Sequence, residues 1–164
     1  MAKKYDFMEV LELAIAVDDA QGFIKSGYGY YDYNNGREVL DNKSTISRII
    51  NKYPDFPVIQ VTDEHRKRAQ ELKEYFDSVI VMKKITGNVN GFEDSVGKII
   101  NGDTVDNYGV SVLASLPNSL RIQKQRDDMD EFYEEKRPLS KFVGQIGKRG
   151  QFTLYVKDVK YIAK

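Results

Sequence analysis

The chain has 164 residues, enough for one substantial core or for one medium domain followed by the start of a second. It contains no cysteine and a single histidine, His65, which excludes disulfides, thiolate metal sites, cysteine nucleophiles and multi-histidine metal centres. The formal charge is zero but uneven: residues 138–164 hold six basic side chains against the single acid Asp158, a net of +5, and residues 1–137 carry the compensating −5. Blocks of opposite sign suggest two units with different partners. The longest apolar stretches, residues 79–82 and 110–116, are too short to span a bilayer, and the N-terminus has no apolar signal region, so the expected setting is the cytoplasm, with no membrane partner.

In chain order, Asp6 can cap a first helix whose apolar positions Phe7, Val10, Leu11, Ala14, Ile15 and Val17 keep the helical period until Gln21 and Gly22 stop it. Residues 26–33 are aromatic-rich and strand-like. Asn35-Gly36 then reads as a two-residue hairpin turn leading into residues 37–40. Ser44 opens a second helix running to about Tyr53 with Ile46, Ile49 and Ile50 inward, and Pro54 and Pro57 separate it from a strand-like segment at residues 58–61.

Thr62, followed by Asp63 and Glu64, starts the longest predicted helix: a capping oxygen and two acids sit at the positive end of the dipole. Its apolar stripe is Ala69, Leu72, Phe76, Val79 and Ile80, with Lys83 and Lys84 in the last turn and Gly87 as the stop. Shorter helices are predicted over residues 91–100 and 105–115, the latter ending before Pro117, and then a polar linker helix from Asn118 to about Glu135. The fold class that follows is α+β: a mostly helical domain with a small sheet over residues 5–137, followed by a C-terminal β-strand element over residues 139–164.

That last element is the most distinctive. Residues 151–162, QFTLYVKDVKYI, alternate as a half-buried strand, and a lone strand cannot satisfy its own backbone groups. Either it returns to pair with earlier strands, or it pairs with a second copy to give a homodimer, or the polypeptide is the N-terminal part of something longer. The preceding residues 140–150 are not a Walker A loop, because Phe142 stands where the first glycine is needed and no Ser or Thr follows Lys148. Residues 147–150 have the G-x-x-G spacing of KH domains, but that loop joins two helices and this one precedes a strand.

The stretch SKFVGQIGKRGQFTLYVKDVKYI resembles the lead-in and first strand of an OB-type barrel, as found after a helical N-terminal region in uncharacterised proteins of tailed phages. Its inward set Phe152, Leu154 and Val156 changes parity to Val159 and Tyr161 near Asp158, as at a bulge. The resemblance implies single-stranded nucleic acid as a partner of the complete protein, and this chain would hold only the beginning of a five-stranded barrel. Lys141, Lys148 and Arg149 are then the expected phosphate contacts.

A second nucleic-acid candidate is the tyrosine group Tyr28, Tyr30, Tyr31 and Tyr33, beside Lys25 and Arg37. Alternation allows Tyr31 and Tyr33, or Tyr28 and Tyr30, to act together as a stacking pair. The plainer account packs one face of this hairpin on the first helix. Asp127, Asp128, Asp130 and Glu131 could offer carboxylates to a metal, but Arg121, Lys124 and Arg126 beside them describe a solvated charged helix better. His65, among Arg66, Lys67 and Arg68, reads as a surface histidine without an identifiable acidic orienter. No catalytic set, metal site or cofactor is expected. The leading reading is a non-enzymatic, phage-like protein associated with single-stranded nucleic acid; the alternatives are a complete protein-interaction domain and a metal-dependent nucleic-acid enzyme.

Overall fold

The core is built around one helix, α1 (Phe7–Gln21), in a computed structural model that describes residues 3–54, 56–139 and 151. Asp6 has extended backbone and accepts the Glu9 N–H at 2.8 Å, and Gly22 ends the helix at φ +74 by donating to the Asp18 carbonyl. The apolar arc is wider than the six-residue stripe predicted: Leu13 and Ala16 are buried as well. α1 is therefore an enclosed helix rather than an amphipathic one lying on a core.

Two strand pairs accompany it. β1 (Tyr5–Asp6), directly before α1, pairs antiparallel with β4 (Thr104–Val105), Tyr5 opposite Val105. Sequence reading missed this pair because two residues are too few to show alternation. β2 (Tyr30–Asp32) and β3 (Arg37–Val39) form the predicted hairpin, Tyr30 opposite Val39 and Asp32 opposite Arg37. Its turn is longer than the two residues expected from Asn35-Gly36. Residues 33–36 all lie in the loop, because Asp32 accepts the N–H groups of Asn34 and Asn35 while Gly36 alone takes positive φ, +62.

α2 (Asn42–Ile50) begins earlier than expected, since Asp41 and not Ser44 is the cap: its carboxylate accepts both the N–H and the hydroxyl of Ser44 at 2.9 Å. Residues 58–61 form no strand pair among the described residues. Ile59 and Val61 pack on the core while Val58 faces solvent. α3 (Asp63–Thr86) follows its predicted bounds from the Thr62 cap to Gly87, which is left-handed at φ +73, and it buries Ala69, Leu72, Phe76 and Ile80. α4 (Gly91–Ile99) is opened by a reciprocal box in which Asn90 and Glu93 each accept the other's N–H. The free oxygen of Glu93 meets Lys83, tying α4 to α3.

The clearest departure is α5 (Asn107–Lys136), one helix where two were predicted around Pro117. Proline removes the hydrogen bond to the Leu113 carbonyl and crowds the preceding turn, at a cost of about 3 kcal/mol. Leu113, Ala114 and Leu116 are buried with α1 and α3 side chains in one apolar cluster, Pro117 is itself buried, and burial of each large side chain contributes about 1.5–3 kcal/mol. Packing thus outweighs the local breaker. Gly109 admits the close approach at the start of α5, since a Cβ there would stand 2.6 Å from the Val105 Cβ.

The chain divides into two units, residues 1–127 and 128–164. In the second, Phe132 and Tyr133 meet edge to face at 5.9 Å, Arg137 pairs with Glu134 at 2.9 Å, and a 3₁₀ turn spans Arg137–Leu139. The strand expected over residues 151–162 lies outside the described residues, Gln151 apart. No helix among the described residues is long and apolar enough to cross a membrane.

Candidate functional site

The β2–β3 hairpin is held by its base. The buried Asn42 side chain accepts the Ile24 N–H at 2.9 Å and the Gln21 amide at 3.1 Å, while its backbone N–H donates to the Ile24 carbonyl. Gln21 also donates to the Leu40 carbonyl, and Gly27 donates to Asp41. The segment entering β2 and the segment leaving β3 are therefore clamped together at Asp41 and Asn42. Gly29 lets them close: a Cβ there would lie 2.9 Å from the Val39 carbonyl oxygen.

Above this clamp the tyrosines stand in solvent. Tyr28, Tyr30, Tyr31 and Tyr33 expose 68, 55, 52 and 89 % of their surface, so neither face of the hairpin packs on α1 as the plainer account had it. Tyr31 and Tyr33 share one face with ring centroids 5.1 Å apart, edge to face. Lys25 lies over the Tyr28 ring at 5.6 Å, and Arg48 lies near both Tyr53 and Phe56. Residues 23–53 carry five cations against three acids. Among those acids, Asp32 is held below the usual carboxylate range, first by the Asn35 side-chain hydrogen bond at 2.6 Å and then by the turn N–H groups. It stays ionised to stabilise the turn.

Lys141, Lys148 and Arg149 lie outside the described residues, so of the expected contacts the structure locates Tyr31 and Tyr33. Among the described residues no three or more His, Asp or Glu side chains converge as a metal cage. Asp127 instead accepts the Gln123 amide at 2.8 Å along α5.

His65 departs from expectation. Its Nδ1 accepts the Thr62 N–H at 3.1 Å, which places the proton of the neutral ring on Nε2, and Nε2 faces Asp19 at 3.3 Å. An acidic orienter is therefore present, supplied by the end of α1. Asp19 also receives Arg68 at 2.5 and 3.2 Å, and that hydrogen bond pushes the Arg68 pKa further up. Its neighbour Asp18 is buried; one oxygen meets Arg121 and the other, Oδ1, has no hydrogen-bond partner among the described residues. Burial pushes the Asp18 carboxyl up against the lowering pull of Arg121.

These acids were overlooked, although a signal existed. Two consecutive acids in the last turn of a helix, with no base there, oppose the helix dipole. Such a placement requires partners from elsewhere in the fold.

Compared with family models, curated proteins and solved structures, the chain matches none.

Proposed function

We propose that this chain is a non-catalytic, phage-like cytoplasmic protein that holds single-stranded nucleic acid, with the tyrosine hairpin as its stacking platform. The observation that carries the reading is the exposure of four tyrosine rings on one short hairpin whose base is clamped by buried polar side chains. Exposed rings on a fixed support lose little freedom when a base stacks on them, and each stacked base contributes about 1–3 kcal/mol in single-strand binders. Lys25, Arg37 and Lys43 supply cations nearby in sequence, while Asp32 and Glu38 weaken the local field. Stacking therefore provides more of the affinity than charge does. The resemblance of residues 139–164 to the opening of an OB-type module points to the same ligand class, with Lys141, Lys148 and Arg149 as further phosphate contacts.

The test is fluorescence anisotropy with a labelled oligothymidylate at several salt concentrations. Tyr31→Ala and Tyr33→Ala should each weaken binding by about 5- to 150-fold, the equivalent of one lost stack, and the Phe variants should bind nearly as well as the parent. Lys148→Ala with Arg149→Ala should flatten the slope of log affinity against log salt by about 1.4, at roughly 0.7 per single-strand phosphate. No binding at the lowest salt would overturn the reading and leave the hairpin as a protein-docking surface. A lost tyrosine effect with an intact salt effect would move the interface to residues 139–164.

A further inference from the structure

A cavity of about 370 Å³ is bounded by the segment after α1, the start of α2, α4 and the first half of α5. Among the described residues its charged lining is Lys25 and Lys43 alone, a net charge of +2. Neither lysine makes an ion pair among the described residues. Asp41, the acid nearest in sequence, is buried and accepts from Ser44 and Gly27. The backbones of the two lysines are held close, because the Asn42 N–H donates to the Ile24 carbonyl at 3.2 Å and the Ile24 N–H donates to the Asn42 side chain at 2.9 Å. Hydroxyls make up much of the remaining polar wall. Ser115 and Ser119 use their hydrogens on the carbonyls of Val112 and Ser115, which leaves Ser26 and Ser111 as donors.

Cations gathered without acids favour an anion, and a hydrogen bond to an ionised group is roughly twice as strong as a neutral one. A phosphate monoester carries about 1.5–2 negative charges at neutral pH and three acceptor oxygens, which matches two ammonium groups and two hydroxyls. An internal phosphodiester carries a single charge. Half-buried Phe23 and Phe92 on the same wall limit water there and so strengthen the attraction. We propose that this cavity binds the terminal phosphate of a single-stranded nucleic acid, a monoester dianion held by Lys25 and Lys43 with Ser26 and Ser111 donating to its oxygens. The volume lies at the lower end of the range for small-molecule pockets, roughly 300–1,000 Å³, and suits one terminal nucleotide. Lys25 also lies over the Tyr28 ring at 5.6 Å, so the site shares a side chain with the tyrosine hairpin. Lys43 borders a second cavity, of about 310 Å³, whose other charged residue is Arg48, which gives the strand a cationic continuation. The nucleic-acid identity of the ligand rests on the stacking function proposed for the hairpin, whereas the phosphate chemistry does not.

Inorganic phosphate, titrated into the full ¹⁵N-labelled chain against chloride at constant ionic strength, should shift the amides of Lys25, Lys43 and Ser111 together. In fluorescence anisotropy, oligothymidylate carrying a 5′- or 3′-terminal phosphate should bind about tenfold or more tightly than the same strand with hydroxyl ends. Lys25→Gln, Lys43→Gln and Ser111→Ala should each reduce that advantage by more than they weaken the hydroxyl-ended strand. Equal binding of the two strands by the parent chain, or no clustered shift at millimolar phosphate, would overturn the assignment whatever the variants do. So would an advantage that survives both lysine substitutions. The stacking function fails separately: Tyr31→Ala and Tyr33→Ala without effect, beside an intact phosphate advantage, would sink that function and leave this site standing. Tyrosine effects with no phosphate advantage would sink this site alone.

Discussion

Replacing Asn42 by alanine tests whether the hairpin is positioned by a buried polar clamp. The substitution removes the acceptor for the Ile24 N–H and for the Gln21 amide, at a residue 1 % exposed. Each bond contributes about 1 kcal/mol net, and leaving a largely buried N–H unpaired adds about 1–3 kcal/mol. Against this, the variant also removes the Asn42 Nδ2 group, which has no partner among the described residues, and so recovers about 1 kcal/mol. The expected loss is about 2–4 kcal/mol. For a chain of this length it should lower Tm by roughly 4–16 °C. The effect should also be local: in hydrogen exchange, the amides of Tyr30 and Val39 should lose protection before those of Val10 and Leu13 in α1. The assays are thermal unfolding by circular dichroism and exchange by NMR. A Tm change under about 2 °C, or uniform loss of protection across α1 and the hairpin, would refute the clamp.

Gly109→Ala should destabilise by about 1–3 kcal/mol despite the better helix propensity of alanine, because its methyl would meet the Val105 Cβ at 2.6 Å; denaturant unfolding measures this, and a stabilised variant would contradict the close β4–α5 approach. Burial raises the Glu93 pKa, but the hydrogen bond from Asn90 N–H and the Lys83 contact outweigh it, so the folded value lies below the usual glutamate value of 4.5. A depressed carboxylate contributes stability that is present above its unfolded pKa and lost as pH falls through its folded one, so Glu93→Gln should shrink the acid-side slope of stability below about pH 4.5. Asp18 carries the opposite sign. Its raised pKa makes the native state hold the proton more tightly, so its ionisation lowers stability as pH rises above 3.8, and the fall should be absent in Asp18→Asn. For residues 151–162, light scattering tests the expected pairing between copies; a monomer at all concentrations would remove the dimer proposal.

Local chemistry made several elements legible in the sequence. Asp6 and Thr62 cap α1 and α3, and Gly22 and Gly87 end them, because capping is decided within four residues of chain. The tyrosine hairpin was likewise readable as strand, loop and strand. Its turn length was not, because the Asp32 carboxylate captures the loop N–H groups and overrides the Asn35-Gly36 propensity. Tertiary packing decided the rest. It carried α5 through Pro117, because apolar burial in a shared core exceeds the few kcal/mol of local preference. It also brought Asp19 to His65 and Arg68, forty-six and forty-nine residues away in sequence, and left one oxygen of Asp18 buried without a hydrogen-bond partner among the described residues. Dipole-opposed acids at the end of α1 announce that partners are needed. Only the fold determines which side chains arrive, since the meeting of α1, α3 and α5 depends on packing across the whole core.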